Sequence, residues 1–177
     1  MSDNQVDADP SSGPQSSPAD SIAASESPSP PSYAQLGLDQ LARSPLIDAM
    51  RIVIQEASPQ RVVATMPVEG NTQPQGLLHG GASCVLAETL GSVGAALHGA
   101  PLGKFAVGID INATHHAGAR SGLVTATATA VQLGGSLASY EIVIVDDSGR
   151  RVCTARLTCL LRPIPAVQPA QGSVSSR

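Results

Sequence analysis

The apolar positions of the chain repeat with two different periods, which separate β-strands from one long helix. Alternation of apolar and polar residues predicts half-buried strands, and a longer apolar stretch that follows Gly and Pro residues indicates a buried helix. The helix is predicted at 80–98. Strands are predicted at 51–56, 60–68, 105–115, 124–131, 137–145 and 151–161. Two strands, one helix and four further strands in a meander form an α+β fold, in which the helix packs on an antiparallel sheet.

The predicted strand after the helix alternates clearly. Its apolar set is Phe105, Val107, Ile109, Ile111 and Ala113, so one continuous apolar face is expected to be buried. A helix of about 20 residues spans about 30 Å, which matches the width of about six strands. Small residues along the helix would allow the sheet to curl round it. An open sheet edge favours a dimer by edge extension, with further stacking into a dimer of dimers.

Both ends of the chain differ in composition from its middle. Residues 1–32 are rich in Ser, Pro, Asp and Ala with hardly a large apolar side chain, which predicts a disordered tail. The apolar pattern after Tyr33 predicts short helical turns that are broken at Pro45. We therefore divide the chain into a tail at 1–32, a domain at 33–163 and a flexible tail at 164–177.

Composition and charge narrow the possible functions. The 177 residues suit one domain, and the formal net charge of −4 without a run of Lys or Arg argues against nucleic acid as a partner. The first basic residue, Arg43, comes too late for a secretory signal, and Glu88 interrupts the longest apolar stretch, which argues against a membrane span. A cytoplasmic protein is expected. Cys84, Cys153 and Cys159 fit neither a disulfide framework nor a metal site, so reduced thiols are expected.

One acidic residue lies inside the predicted helix. Glu88 is the only carboxylate from Gly80 to Leu97, and its neighbours are mostly Ala, Val, Leu, Gly, Ser and Thr. Burial among such neighbours raises the pKa of a carboxyl group and suits it to act as a base or nucleophile. The free N–H groups at the helix start, after His79, form a candidate anion or oxyanion site. Ser92 follows Glu88 by one turn on the same helix face.

The central stretch resembles the signature of hotdog-fold acyl-CoA thioesterases. It runs Asn71-Thr-Gln-Pro-Gln-Gly-Leu-Leu-His-Gly-Gly-Ala-Ser-Cys-Val-Leu-Ala-Glu-Thr-Leu-Gly-Ser92. It is similar to the branch that contains 4-hydroxybenzoyl-CoA and 1,4-dihydroxy-2-naphthoyl-CoA thioesterases. The later run Gly108-Ile-Asp-Ile-Asn-Ala-Thr-His-His116 and the pair Leu133-Gly134 resemble the same branch. The resemblance covers residues 45–162.

The resemblance implies a hotdog domain that hydrolyses an acyl-CoA thioester with an aromatic or medium-chain acyl group. Glu88 would act as nucleophile or as general base, and both roles stay open. The Gly80 N–H would bind the oxyanion, His79 and Gln73 would position the reacting groups, and Ser92 would assist Glu88. The family has its site at a homodimer interface. His79 and Glu88 are about 13 Å apart along one helix at 1.5 Å per residue, so the two halves of one site would come from different subunits.

The resemblance also implies contacts to CoA. No metal and no redox cofactor is implied, because CoA is part of the substrate. The implied contacts are Gly108, His115, His116, Gly118, Gly134, Gly135 and Ser136. The backbone amides of the last three could hold a phosphate. Arg120 could supply a positive charge beside Ala117 and Ala119, where more polar residues are expected.

Two other functions stay open on the sequence alone. A non-catalytic acyl-CoA-binding module would keep the fold without a complete set of catalytic residues. An enoyl-CoA hydratase is the second alternative, because Asp110-Ile-Asn-Ala-Thr-His115 superficially fits the Asp-x-Asn-x-x-His pattern of hotdog hydratases. Residues five apart on a strand point to opposite faces, so Asp110 and His115 are not expected to converge.

Overall fold

A computed structural model describes residues 44–164, so the predicted tail at 1–32 and all but the first residue of the predicted tail at 164–177 lie outside this range. Two helices and six strands follow one another along the chain. They are α1 (Pro45–Ala49), β1 (Val53–Ala57), β2 (Arg61–Pro67), α2 (Gly80–Gly99), β3 (Lys104–His115), β4 (Leu123–Leu133), β5 (Leu137–Asp146) and β6 (Arg151–Pro163), with a 3-10 turn at Ala100–Leu102. The predicted central helix and all six predicted strands are confirmed within a few residues.

The six strands form one antiparallel sheet with α2 packed across it. The strand order is β1-β2-β4-β5-β6-β3, so only β4, β5 and β6 form a meander. The prediction of a four-strand meander is therefore wrong, because β3 pairs with β6 and forms an edge of the sheet. α2 joins β2 to β3 while it crosses the sheet, and the space between these two strands is filled by the meander. Alternation in the sequence identifies a strand, but it does not identify its neighbour.

A β-bulge divides β3 into two halves that turn different residues towards the helix. Before the bulge, Ala106 and Gly108 pair with buried residues of β6. After the bulge, Ile111, Ala113 and His115 pair with buried residues of β6. Directly paired residues lie on the same side of a sheet. The set that faces the helix therefore changes from even to odd positions at the bulge.

The bulge overturns the expectation of one buried apolar face on this strand. Phe105 and Val107 lie on the outer side, where 39% and 42% of their surface is exposed. Ile109 lies in the bulge itself, and 55% of its surface is exposed. An extra residue in one strand shifts the period of two by one position, and the residue types of this run did not reveal that shift.

Small residues allow α2 to lie close to the sheet. A Cβ atom added to Gly94 would lie 2.8 Å from ring atoms of Tyr140, and one added to Gly91 would collide with Leu157. The Tyr140 ring is fully buried, and its Oη donates a hydrogen bond of 2.8 Å to the carbonyl oxygen of Pro59. The predicted role of the small helix residues in close packing is confirmed.

The apolar character of α2 follows from its place in the core. By length and composition, the segment Gly80–Leu102 would be able to cross a membrane. Half of its most apolar window is buried inside the fold, and Leu86, Ala87, Leu90 and Ala95 are fully buried there. The hydrophobic core of the sheet accounts for this composition.

Pro45 begins α1, although the sequence pattern predicted that it breaks a helix. It stands in the first turn of α1, where its missing N–H group costs no helical hydrogen bond. Ile47 of α1 is buried in the core, while the neighbouring Leu46 is 54% exposed. The earlier part of the predicted lead-in lies outside the described residues.

The three cysteines are free thiols, as their spacing predicted. Cys153 and Cys159 lie buried on the helix-facing side of β6, while Cys84 on α2 is partly exposed. Burial raises the pKa of both β6 thiols to about 11. These two side chains are therefore protonated, inert parts of the core at neutral pH.

Candidate active site

The start of α2 presents one free backbone amide. His79 is the N-cap residue, and its Nδ1 accepts a hydrogen bond of 2.8 Å from the Gly81 N–H. The amides of Ala82 and Ser83 donate to the His79 carbonyl oxygen. Within residues 44–164, the Gly80 N–H has no acceptor. Gly80 therefore offers a single unpaired donor at the positive end of the helix dipole.

A cavity of about 420 Å³ opens in front of this amide. It is lined by Gln73, Leu77, Leu78, Gly80, Ser83, His115, His116, Ala117, Gly118 and Val152. The His115 ring packs directly on Gly80, because a Cβ atom at position 80 would lie 2.8 Å from His115 Nε2. A side chain at position 80 would thus displace the imidazole. Gln73, Gly80 and His115 line the same cavity. Hydrogen-bond donors that converge in this way can polarise a carbonyl group bound between them.

The His79 ring is fixed by its capping bond. Since Nδ1 accepts the Gly81 N–H, the proton of the neutral imidazole lies on Nε2. His79 is exposed and does not line the cavity of Gln73 and Gly80. Its direct role in this protomer is to cap α2 and to leave Nε2–H as an outward donor.

Glu88 lies away from the Gly80 cavity, beside the edge strand β3. Its carboxylate packs against the backbone of Gly108, where any Cβ atom would overlap with Oε1. Ser92 Oγ donates a hydrogen bond of 3.4 Å to Glu88 Oε1. Partial burial raises the pKa of Glu88, and the bond from Ser92 opposes this shift without cancelling it. The expectation of a raised pKa for this carboxylate is confirmed.

A second cavity of about 280 Å³ borders Glu88 and Ser92. Its other lining residues are Ser44, Leu46, Ile47, Thr89, Val93, Ala96 and Ala106. The sequence did not indicate that α1 lies near Glu88, because its apolar pattern predicted only short helical turns. Leu46 and Ile47 line the same cavity as Glu88 only through the tertiary fold, which the local sequence does not specify.

The two halves of the candidate site are far apart within one protomer. Gly80 contacts His115 at the end of β3, whereas Glu88 contacts Gly108 near its middle. These two β3 residues are about 23 Å apart along the strand at about 3.3 Å per residue. One thioester carbonyl cannot contact both places in a single subunit.

The predicted CoA contacts fall into three separate groups. Gly108 lies beside Glu88, whereas His115, His116 and Gly118 line the cavity of Gly80. The turn with Gly134, Gly135 and Ser136 lies at the opposite end of α2, where His98 Nε2 is 2.9 Å from the Gly134 carbonyl oxygen. The seven residues therefore do not form one binding surface within a protomer.

The glycine turn also has fewer free amides than the sequence suggested. The Gly134 N–H donates to the Leu137 carbonyl oxygen at 2.8 Å, so it is not available to a phosphate. The carbonyl oxygen of Gly135 accepts a hydrogen bond from the Lys104 ammonium group. The Gly134 amide is therefore used by the hairpin itself, and the positive charge beside this turn comes from Lys104.

Asp110 and His115 lie on opposite sides of β3, as the sequence spacing predicted. Asp110 pairs with Thr158, whose neighbours along β6 are buried on the other side, while His115 pairs with the buried Cys153. The two side chains cannot act together in a hydratase site.

Comparison with known proteins identifies the family. The thioesterase superfamily model matches residues 75–153. Over 114 residues the chain is 43% identical to the proofreading thioesterase EntH of Cronobacter sakazakii, and the match covers 64% of this chain and 82% of that protein. The chain belongs to the thioesterase superfamily. Its six-stranded sheet and single long helix are the hotdog fold, as expected.

Solved structures of other superfamily members agree with this fold. A Staphylococcus aureus thioesterase is 34% identical with a TM-score of 0.65, and the match covers 67% of this chain and 99% of that one. It was solved with a glutamate or a glutamine replaced by alanine, at positions fifteen residues apart. The structure of a hypothetical thioesterase from Streptococcus pneumoniae with coenzyme A has the same fold, with 20% identity and a TM-score of 0.60, and the match covers 68% of this chain and 93% of that one.

Proposed function

We propose that this thioesterase-superfamily member hydrolyses acyl-CoA thioesters and that Glu88 is its catalytic carboxylate. The observation that carries the proposal is the environment of Glu88. Its carboxylate is partly desolvated, lies against the glycine backbone at position 108 and borders a cavity of about 280 Å³ that has both apolar and hydroxyl side chains in its lining. A carboxylate in such a place is a better base or nucleophile than one in water, and a carbonyl group can approach it closely.

A homodimer through β3 would complete the site. β3 is an edge strand with an exposed apolar residue in its bulge, Ile109, and unpaired edges favour pairing with another strand. If two β3 strands pair antiparallel about an axis close to Ile111, Gly108 of one protomer comes opposite His115 of its partner. Glu88 would then face the Gly80 amide of the partner subunit across the interface.

The Gly80 half and the Glu88 half of the site would act together on one thioester carbonyl. The Gly80 amide binds the developing oxyanion of the thioester carbonyl. Glu88 either attacks the carbonyl carbon to form a mixed anhydride or takes a proton from the water that attacks it. In both routes the C–S bond breaks, CoA leaves as the thiol, and water supplies the oxygen of the free acid. Gln73 lines the oxyanion cavity and is placed to orient the carbonyl.

The relatives support this assignment of roles. In the S. aureus thioesterase, the glutamine and glutamate chosen for replacement are fifteen residues apart. Gln73 and Glu88 have the same separation in this chain. Coenzyme A in the S. pneumoniae structure supports CoA as the carrier. The apolar part of the cavity lining beside Glu88 suits an aromatic or medium-chain acyl group, in keeping with the resemblance to the aromatic-acyl branch.

Release of free thiol from a panel of acyl-CoAs tests the function. We expect steady turnover with at least one of benzoyl-, phenylacetyl-, naphthoyl- or straight-chain acyl-CoA. Tight CoA binding without thiol release would favour a non-catalytic acyl-CoA-binding module. Hydration of crotonyl-CoA without thioester cleavage would indicate a hydratase and would overturn the proposal.

The pH profile of hydrolysis should report the protonation of Glu88. Because the active form is the carboxylate, activity should fall as pH falls through the raised pKa of Glu88. Ser92 lowers that pKa through its hydrogen bond, so Ser92→Ala should move the acid limb of the kcat profile to higher pH. A Ser92→Ala profile that coincides with the wild-type profile would show that Glu88 is not the titrating group.

A further inference from the structure

Residues 71–79 form the loop that leads into α2, and we call them the entry loop. Gln73 and Leu77 of this loop line the cavity in front of the Gly80 amide. The last residue of the loop, His79, is the N-cap of α2, so Gly80 follows the loop directly. The position of the candidate oxyanion site therefore depends on how the entry loop is held.

Backbone hydrogen bonds join the two ends of the entry loop. The His79 N–H donates to the Asn71 carbonyl oxygen at 2.8 Å. One residue further in, Thr72 forms an isolated β-bridge with Leu78. Because the first and last residues of the loop are bonded to each other, a shift of Asn71 also shifts His79 and the Gly80 amide that follows it.

The Asn71 side chain ties the entry loop to two other elements. Its Nδ2 donates hydrogen bonds of 3.0 Å to the Met50 carbonyl oxygen and 2.9 Å to the Pro67 carbonyl oxygen. Met50 is the C-cap of α1, and Pro67 is the last residue of β2. Because both partners are acceptors, the amide nitrogen of the half-buried side chain faces them and uses both of its protons.

The residue after Met50 contacts the same segment. The Arg51 guanidinium donates to the carbonyl oxygen of Glu69, two residues before Asn71. Arg51 has a φ of 56°, a left-handed conformation that is uncommon for a residue with a side chain. Such a conformation persists only where the surrounding contacts hold it. The junction of α1 and β1 is therefore a fixed support for the start of the entry loop.

We propose that Asn71 is a positioning residue that holds the Gly80 amide and Gln73 where the thioester carbonyl binds. This inference rests on the proposed function. Asn71 does not line the cavity of Gln73 and Gly80, so it acts on the carbonyl only through the entry loop. Because the oxyanion forms only during the reaction, loss of the Asn71 donors should weaken binding of the transition state and not of the substrate.

Two substitutions of Asn71 test the inference. Asn71→Asp places a carboxylate against two carbonyl oxygens and should push the loop away from them. We expect kcat to fall about 10²-fold, which a misplacement of about 1 Å can cause, and KM to change less than about 2-fold. Asn71→Ala removes the donors without adding a charge and should lower kcat about 10-fold at the same KM. An unchanged kcat, or a loss that lies in KM alone, would overturn the inference.

Two variants outside the entry loop serve as controls. Gln55→Glu makes the same amide-to-carboxyl change where Gln55 donates to Thr65 between β1 and β2. Ile54→Val removes a buried methyl group from β1 and lowers the stability of the core. Both should keep the wild-type kcat. A loss of kcat in Ile54→Val as large as that in Asn71→Asp would assign the effect to lost stability and not to the position of the loop.

Hydrogen exchange of the His79 amide tests the loop without a substrate. The bond to the Asn71 carbonyl oxygen protects this N–H, which should exchange about 10-fold faster in both Asn71 variants and at the wild-type rate in Ile54→Val. Unchanged exchange in the Asn71 variants would contradict the inference. If the wild-type protein cleaves no thioester but His79 loses protection in the Asn71 variants alone, the proposed function fails and the positioning of the loop by Asn71 stands.

Discussion

Glu88→Gln should lower kcat for acyl-CoA hydrolysis by about 10²- to 10⁴-fold, the usual contribution of a positioned acid or base. The amide keeps the size of the side chain but can neither accept a proton nor attack a carbonyl. Because Glu88 lies beside Gly108 and is proposed to act on the reacting carbonyl alone, KM should change little. Steady-state hydrolysis of the best substrate of the panel measures the effect.

The same variant should fold at least as well as the wild-type protein. Burial raises the pKa of Glu88 in the folded state, so the folded state binds more protons than the unfolded state between the two pKa values. The stability contributed by Glu88 is complete below its unfolded pKa and is lost as pH rises through its folded pKa. At neutral pH, Glu88→Gln should therefore be more stable to heat than the wild-type protein, and this advantage should shrink in acid.

The matched control for this variant is Glu56→Gln on the exposed side of β1. Glu56 pairs with Arg61 at the surface and lines none of the cavities near Glu88. Its replacement should leave kcat unchanged, because Glu56 is remote from the candidate site. It should also change the stability little, since exposed ion pairs contribute little to stability. Full activity of a correctly folded Glu88→Gln protein would show that Glu88 is not the catalytic carboxylate.

Gly94→Val should destabilise the protein by about 3 kcal/mol, at the upper end of the usual cost of overpacking a core. The new Cβ atom would lie 2.8 Å from two ring atoms and the hydroxyl oxygen of Tyr140. The ring cannot move away easily, because it is fully buried and its hydroxyl group is bonded to Pro59. Urea or thermal unfolding of the purified protein measures the change.

Two further variants test the cause of this loss. Gly94→Ala should cost less, since its single methyl group is smaller and alanine has a helix propensity about 1 kcal/mol better than that of glycine. Gly135→Ala adds a methyl group in open space and should be nearly neutral. A Gly94→Val protein as stable as the wild-type protein would contradict the close packing of α2 on β5.

Local sequence was sufficient to find the helix, the strands and the unusual acid. The alternation in Val124 to Val131 predicted a strand with one buried face, and Val124, Ala126 and Ala128 are fully buried. The isolation of Glu88 among apolar neighbours predicted a raised pKa, which the structure confirms. Both inferences concern a residue and its near neighbours in the chain, where backbone periodicity decides the surroundings.

Long-range features required the tertiary structure. The pairing of β3 with β6 and the bulge at Ile109 depend on how α2 crosses the sheet, which no local pattern encodes. The cavity that α1 shares with Glu88 is likewise formed by distant parts of the chain.

The sequence by itself determined the elements, the family resemblance and the acid that stands at the centre of the candidate site. Only the tertiary structure decided which residues lie beside that acid. Glu88 meets Gly108, Gly80 meets His115, and the two places are separated along one edge strand. The physical reason is that residue types set local conformation and burial, whereas neighbours across a sheet are set by chain crossings and register.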